Sequence, residues 1–159
     1  MRRGAPAAEG TERASVSRPK NAQKVDRFST RLYGTHNILN SLAAIATCHE
    51  VGMDFADIKE ALAQFDGVAR RLQLIGEPWN VSVISDYAHH PKEIQASLAA
   101  THQRFPNQRV FVIFQPHQYS RTRAMLPELA AAFSDAWVTL VTAAVALGYP
   151  FLSQTFVIV

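Results

Sequence analysis

Between Val81 and Val141 three short apolar runs, VSVIS, VFVIF and WVTLV, alternate with two stretches patterned at helical spacing. That alternation leaves few folds open. Strand, helix, strand, helix, strand lays parallel strands side by side, joined by crossover helices, so we expect an open α/β sheet with parallel neighbours. VFVIF is an unbroken run of β-branched and aromatic residues, as in a strand covered on both faces, and WVTLV is expected to be a third buried strand. Pro91 suits the first turn of a helix, where its missing N–H costs nothing, and Glu93 favours the same turn through the helix dipole. Ile94, Leu98, Thr101 and Phe105 then share one face. Ser120 to Phe133 reads as the next helix, shortened or kinked by Pro127. Before these elements, RRLQLIGE alternates as a strand does, and EPWN is a turn leading into VSVIS.

Two helices precede the sheet. Ile38, Leu42, Ile45 and His49 recur at helical spacing, with Leu39 and Ala46 widening the stripe, Thr35 as N-cap and Gly52 as stop. Asp54 can cap a second helix, whose buried face would be Ile58, Leu62 and Phe65 and whose end is Gly67. So short a connection implies a helical hairpin.

The ends differ in character. Residues 1–28 are polar and basic, with few large apolar side chains, so they are expected to be a flexible, disordered leader. The alternative is a basic arm on nucleic acid, but no aromatics are interleaved with its charges. From Trp137 to Val159 no charged residue occurs, a length near that of a membrane span. Gly148, Pro150, Ser153 and Gln154 interrupt it, and the reading favoured here is a strand, a Gly-Pro break and a second apolar run; a membrane-tethered small domain is the alternative. A single cysteine, Cys48, excludes an internal disulfide and fits a reducing cytoplasm.

Ligands of open α/β sheets bind beyond the carboxyl ends of the strands. Asp86, Tyr87, His89 and His90 follow VSVIS, while His117, Tyr119, Ser120, Arg121 and Arg123 follow VFVIF. Were those strands neighbours, the two groups would face each other across one edge, near two helix N-termini, and suit a phosphate or carboxylate. Plainer roles stay open for each residue: a turn cap for Asp86, a helix start for the histidine pair, surface charge for the arginines. Zinc is disfavoured, because structural sites show closer, cysteine-containing spacing. Asn37 and Asn40 lie three apart at a helix start, either as caps or as amides for a purine edge or ribose. Arg70 and Arg71 can fork onto phosphate oxygens.

GTHNILNSLAAIA, FDGVARRLQ, ISDYAHHPKEI and FQPHQYSRT, in this order and near these spacings, resemble the Mur ligases from about Leu32 to Asp135. The resemblance implies that residues 29–69 are the last helices of a central ATPase domain. It implies that residues 70–159 are a partial Rossmann-like C-terminal domain, divergent after Asp135. It implies ATP and Mg2+ as cofactors, and UDP-N-acetylmuramate and L-alanine as substrates joined through an acyl phosphate. By motif position His36, Asn37, Asn40, Arg71 and Asp86 would contact ATP. Tyr87, His89, His90, His117, Tyr119 and Arg121 would line the substrate side. No residue is assigned a catalytic role and no metal ligand is expected in this chain. The sequence contains no Gly-Lys pair of a phosphate loop, and the family's magnesium ligands and UDP-binding domain are missing. A shortened or disrupted reading frame would explain both ends. The chain alone is expected to lack ligase activity and to need parts from another chain; a non-catalytic nucleotide- or anion-binding module is the alternative.

Overall fold

The computed structural model describes residues 26–116, 118–141 and 155–159. Helices α1 (Thr35–Glu50) and α2 (Phe55–Gln64) form the expected hairpin. Gly34, at φ 94°, is the N-cap of α1, one residue earlier than Thr35, and Gly52, at φ 93°, follows its last turn. The stripe expected to be buried on α1 is not: only Ser41 is buried, while Leu39 and Leu42 are 60% and 51% exposed. The 3.6-residue period is real, but among the described residues little packs against that face. On α2 Ile58 is buried, whereas Phe65 has left the helix as its C-cap and is exposed. The end of the polar leader contacts α2. Asp26 pairs with Lys59 at 2.6 Å, and the Phe28 ring meets Phe55 edge-on. Residues 1–25 lie outside the described residues.

The sheet contains β1 (Gln73–Gly76), β2 (Val83–Asp86), β3 (Phe111–Phe114), β4 (Val138–Val141) and β5 (Thr155–Ile158), in the order β1-β2-β5-β3-β4. β1 and β2 are an antiparallel hairpin closed by a short turn at Pro78–Asn80. β3 and β4 are the expected parallel pair. β2 and β3 run the same way but are not neighbours, which corrects the sequence reading. β5 lies between them, antiparallel to both. The physical reason lies in the second apolar run: TFVIV carries no charge and is β-rich, so it can occupy a slot covered on both faces. Val157 is 1% exposed there.

Helix α3 (Pro91–Arg104) starts at Pro91 and buries Ile94, Leu98 and Thr101, as its spacing demands. The next helical stretch divides at Met125 into α4 (Tyr119–Ala124) and α5 (Leu126–Ala132), with Pro127 at the start of the second piece. One core forms from Ile84, Val112, Phe114 and Val157 of the sheet, Ile94 and Leu98 of α3, and Leu129 and Ala132 of α5. β4, expected to be buried, is an edge strand with Val138, Leu140 and Val141 exposed. Among the described residues no helix is long and apolar enough to cross a membrane.

Candidate functional site

The connection from the helical hairpin into β1 holds two non-glycine residues at positive φ. Arg70 has φ 62° and Leu72 φ 49°, a left-handed conformation that costs a non-glycine residue roughly 1–2 kcal/mol. Several groups hold it. The Leu72 N–H donates to Asp86 Oδ2 at 2.8 Å, the Tyr87 N–H to the Arg70 carbonyl at 2.8 Å, and the Arg70 N–H to Gln73 Oε1 at 2.9 Å. The Tyr87 ring lies 4.9 Å from the Arg70 guanidinium and 5.9 Å from that of Arg71. Strain held in place by its surroundings is characteristic of sites that position a side chain. Here the side chain presented is Arg71.

Arg71 lines a cavity of about 590 Å³ between the helical segment and the sheet. Its walls include Asn37 of α1, Tyr33 just before it, Gly67 after α2, Leu74 and Ile84 of the first hairpin, and Arg104 of α3. Its charged lining is Arg31, Asp66, Arg71 and Arg104, three guanidinium groups against one carboxylate. Asp66 is held by Arg31 at 2.9 Å. Asn37 donates Nδ2–H to the Tyr33 carbonyl at 2.7 Å, which fixes its amide orientation. A cavity of this size, with an apolar floor, a fixed amide and surplus positive charge, suits an anionic ligand with a polar ring system.

Two expected site residues, Asn37 and Arg71, are therefore brought together. The others fall elsewhere. Asp86 sits behind the strained turn, its carboxylate buried and accepting from Leu72 and from the Ala88 N–H at 2.6 Å. Burial pushes its pKa up, against the two amides, the Arg71 charge and the Ser97 hydroxyl, which pull it down. His36 packs its ring against Gly34, where a Cβ would come within 2.7 Å of it. Asn40 is exposed on α1. His89 Nδ1 lies 2.9 Å from the Tyr87 carbonyl and 3.5 Å from Glu93. His90 is the N-cap of α3: its Nδ1 accepts from the Lys92 N–H at 3.3 Å, while Glu93 accepts from the N–H groups of His89 and His90. Burial raises the Glu93 pKa, but those two amides and the charges of His89 and Arg71 outweigh it, and the net shift is downward.

His117 lies outside the described residues. Tyr119 is exposed at the start of α4, and Arg121 is half-buried two residues on. Register puts Asp86, Thr155 and Phe114 in one row across β2, β5 and β3. The two loops expected to face each other are thus separated by a whole strand, roughly 10 Å of sheet. The 590 Å³ cavity includes neither Asp86 nor Arg121. Sequence reasoning missed Arg31, Tyr33 and Arg104. They come from segments about 70 residues apart, tied together by the Gly34 N–H bond to Gln103 Oε1, 3.0 Å, and by the Arg104 guanidinium beside the Tyr33 ring. Among the described residues no cluster of three or more His, Cys, Asp or Glu could hold a metal ion.

The fold and cavity define an α/β domain that meets a helical hairpin over a basic, ligand-sized cleft. Residues 70–148 match the family described as Mur ligase, glutamate ligase domain. The UDP-N-acetylmuramate–L-alanine ligase of Anaeromyxobacter sp. is 47% identical over 126 residues, 79% of this chain and 27% of that protein. The enzyme of the same name from Desulforapulum autotrophicum is 52% identical over 106 residues, 67% of this chain and 23% of that one. The crystal structure of the Thermotoga maritima UDP-N-acetylmuramate-alanine ligase superposes with a TM-score of 0.67 at 36% identity, covering 77% of this chain and 27% of that one. The chain belongs to the Mur ligase family. It spans about a quarter of the length of the relatives it matches.

Proposed function

We propose that this chain carries the nucleotide-facing junction of an ATP-dependent ligase that joins L-alanine to UDP-N-acetylmuramate. The observation that carries this reading is the convergence of Asn37 and Arg71 on one basic cavity. In this reading residues 29–69 act as the end of a nucleotide-binding domain and residues 70–159 as a Rossmann-like C-terminal unit. Asn37 offers its amide to the base or ribose. Arg71, aimed by the strained turn, pairs with a phosphate. In the reaction the sugar carboxylate attacks the γ-phosphorus and ADP leaves; the amine of L-alanine then displaces phosphate from the acyl phosphate. Exclusion of water by a closing cleft would protect that intermediate. We assign no step to magnesium on these residues.

On this reading these 159 residues bind nucleotide in the cytoplasm without completing the reaction, and turnover requires the remaining ligase domains. The test has two readouts on the purified 159-residue chain. Titration calorimetry with ATP should show binding that Arg71→Ala weakens about tenfold, as for a lost charge-assisted hydrogen bond. Phosphate release with ATP, UDP-N-acetylmuramate and L-alanine should be absent. Equal ATP affinity in wild type and Arg71→Ala overturns the nucleotide site; sustained phosphate release overturns the need for other domains.

A further inference from the structure

We propose that Arg104, which lies outside every motif shared with the family's functional strings, is a second phosphate-binding arginine of the cavity. With Arg71 it would hold the phosphate chain of the bound nucleotide from the opposite wall. The inference rests on the nucleotide reading for what carries the phosphates, but the anion site is argued from this chain alone.

Arg104 ends α3 and lines the same cavity as Arg71 and Asn37. Its guanidinium lies 5.7 Å from the Tyr33 ring and 5.2 Å from the Phe105 ring, so two aromatic faces fix its direction. Among the described residues no carboxylate lies within ion-pair distance of Arg104 or Arg71, whereas Arg31 is neutralised by Asp66. The cavity therefore holds two cations outside any close ion pair: Arg71 from the turn into β1, whose charge also reaches Asp86 and Glu93, and Arg104 from the end of α3. Guanidinium groups present planar donor pairs, the geometry phosphate oxygens accept. A plainer role for Arg104 is to complement the negative end of the α3 dipole. That role needs no particular aim and predicts no effect on ligand.

The test compares adenosine, ATP and inorganic tripolyphosphate on the full chain by calorimetry. The proposal expects tripolyphosphate to bind, more weakly as salt rises. Arg104→Ala should cut ATP and tripolyphosphate affinity about tenfold, leave adenosine affinity unchanged, and be partly rescued by Arg104→Lys. If Arg104→Ala unfolds, Arg104→Gln keeps part of the aliphatic stem without the charge and carries the same expectation. No tripolyphosphate binding to wild type overturns the proposal. So does equal loss for adenosine and ATP, which marks a structural role. Tripolyphosphate binding without adenosine binding keeps the anion site and overturns only the nucleotide reading.

Discussion

Two carboxylates a few residues apart do the same work with opposite electrostatic results. Asp86 accepts from the N–H groups of Leu72 and Ala88, and Glu93 from those of His89 and His90. Each closes a turn at the carboxyl edge of β2. Yet the Asp86 pKa is raised and that of Glu93 lowered. Burial is the first cause acting on both, and it pushes both upward. Asp86, 2% exposed, lies under α3, where desolvation of the charge outweighs its hydrogen bonds. Glu93 keeps contact with water, so the same two-amide arrangement, helped by His89 and Arg71, prevails. Hydrogen-bond count alone does not set the charge state of a carboxylate; depth does.

The sharpest break of this comparison is Asp86→Ala. It strands two backbone donors, and with them the strained Arg70–Leu72 turn, so we expect a loss of about 3 kcal/mol or more in urea unfolding. Asp86→Asn keeps one acceptor oxygen and should lose about half as much. Both should weaken ATP binding through Arg71 and not by direct contact. Asp86 variants that lose ATP affinity with unchanged stability would show the carboxylate itself touching ligand.

The two groups also part in acid. Because the folded Asp86 pKa lies above its ordinary 3.8, its protonated form favours the fold. That contribution is full below pH 3.8 and is lost as pH rises through the raised value. Glu93 behaves in the opposite sense: its contribution is present above its ordinary 4.5 and is lost as pH falls through the lowered value. Unfolding free energies of Asp86→Asn and Glu93→Gln, subtracted from wild type between pH 3 and 7, should therefore slope in opposite directions. Parallel slopes would mean that depth does not separate the two.

Much of this arrangement was legible beforehand because it is local. The start of α3 at Pro91, its buried face and the break near Pro127 follow from side-chain spacing and proline chemistry. The helical hairpin was legible too, but not which of its faces is covered, since period identifies a stripe and not its partner. The strand order was not legible. TFVIV was expected only as part of a second apolar run, and its place between β2 and β3 depends on pairings far apart in sequence. That single insertion separated the Asp86 and Arg121 loops. The cavity was half legible: Asn37 and Arg71 stand out in motifs, while Arg31, Tyr33 and Arg104 are ordinary until the fold gathers them.

Intermediate effects sharpen the comparison. Tyr87→Leu removes the ring beside both guanidinium groups and should cost about 1–2 kcal/mol, with Tyr87→Phe nearly neutral. Equal losses in the two variants would place the effect on the phenol oxygen instead. Glu93→Ala leaves the α3 N-terminus without half of its capping box and should cost about 1 kcal/mol, well below Asp86→Ala.

The smallest expected effect concerns His90, the other half of that box. Its ring nitrogen accepts a long hydrogen bond, 3.3 Å, at an exposed position, and it does so only when Nδ1 carries no proton. His90→Ala should therefore cost only about 0.5 kcal/mol. Asparagine is a better N-cap than histidine, so His90→Asn should raise thermal stability slightly. The double variant with Glu93→Ala should lose less than the sum of the two, because each half of a capping box helps hold the other in place. If His90→Asn destabilises the chain as much as Asp86→Ala, the histidine is held by something other than the helix start. The division between one deep carboxylate and one shallow capping box would then not describe this edge.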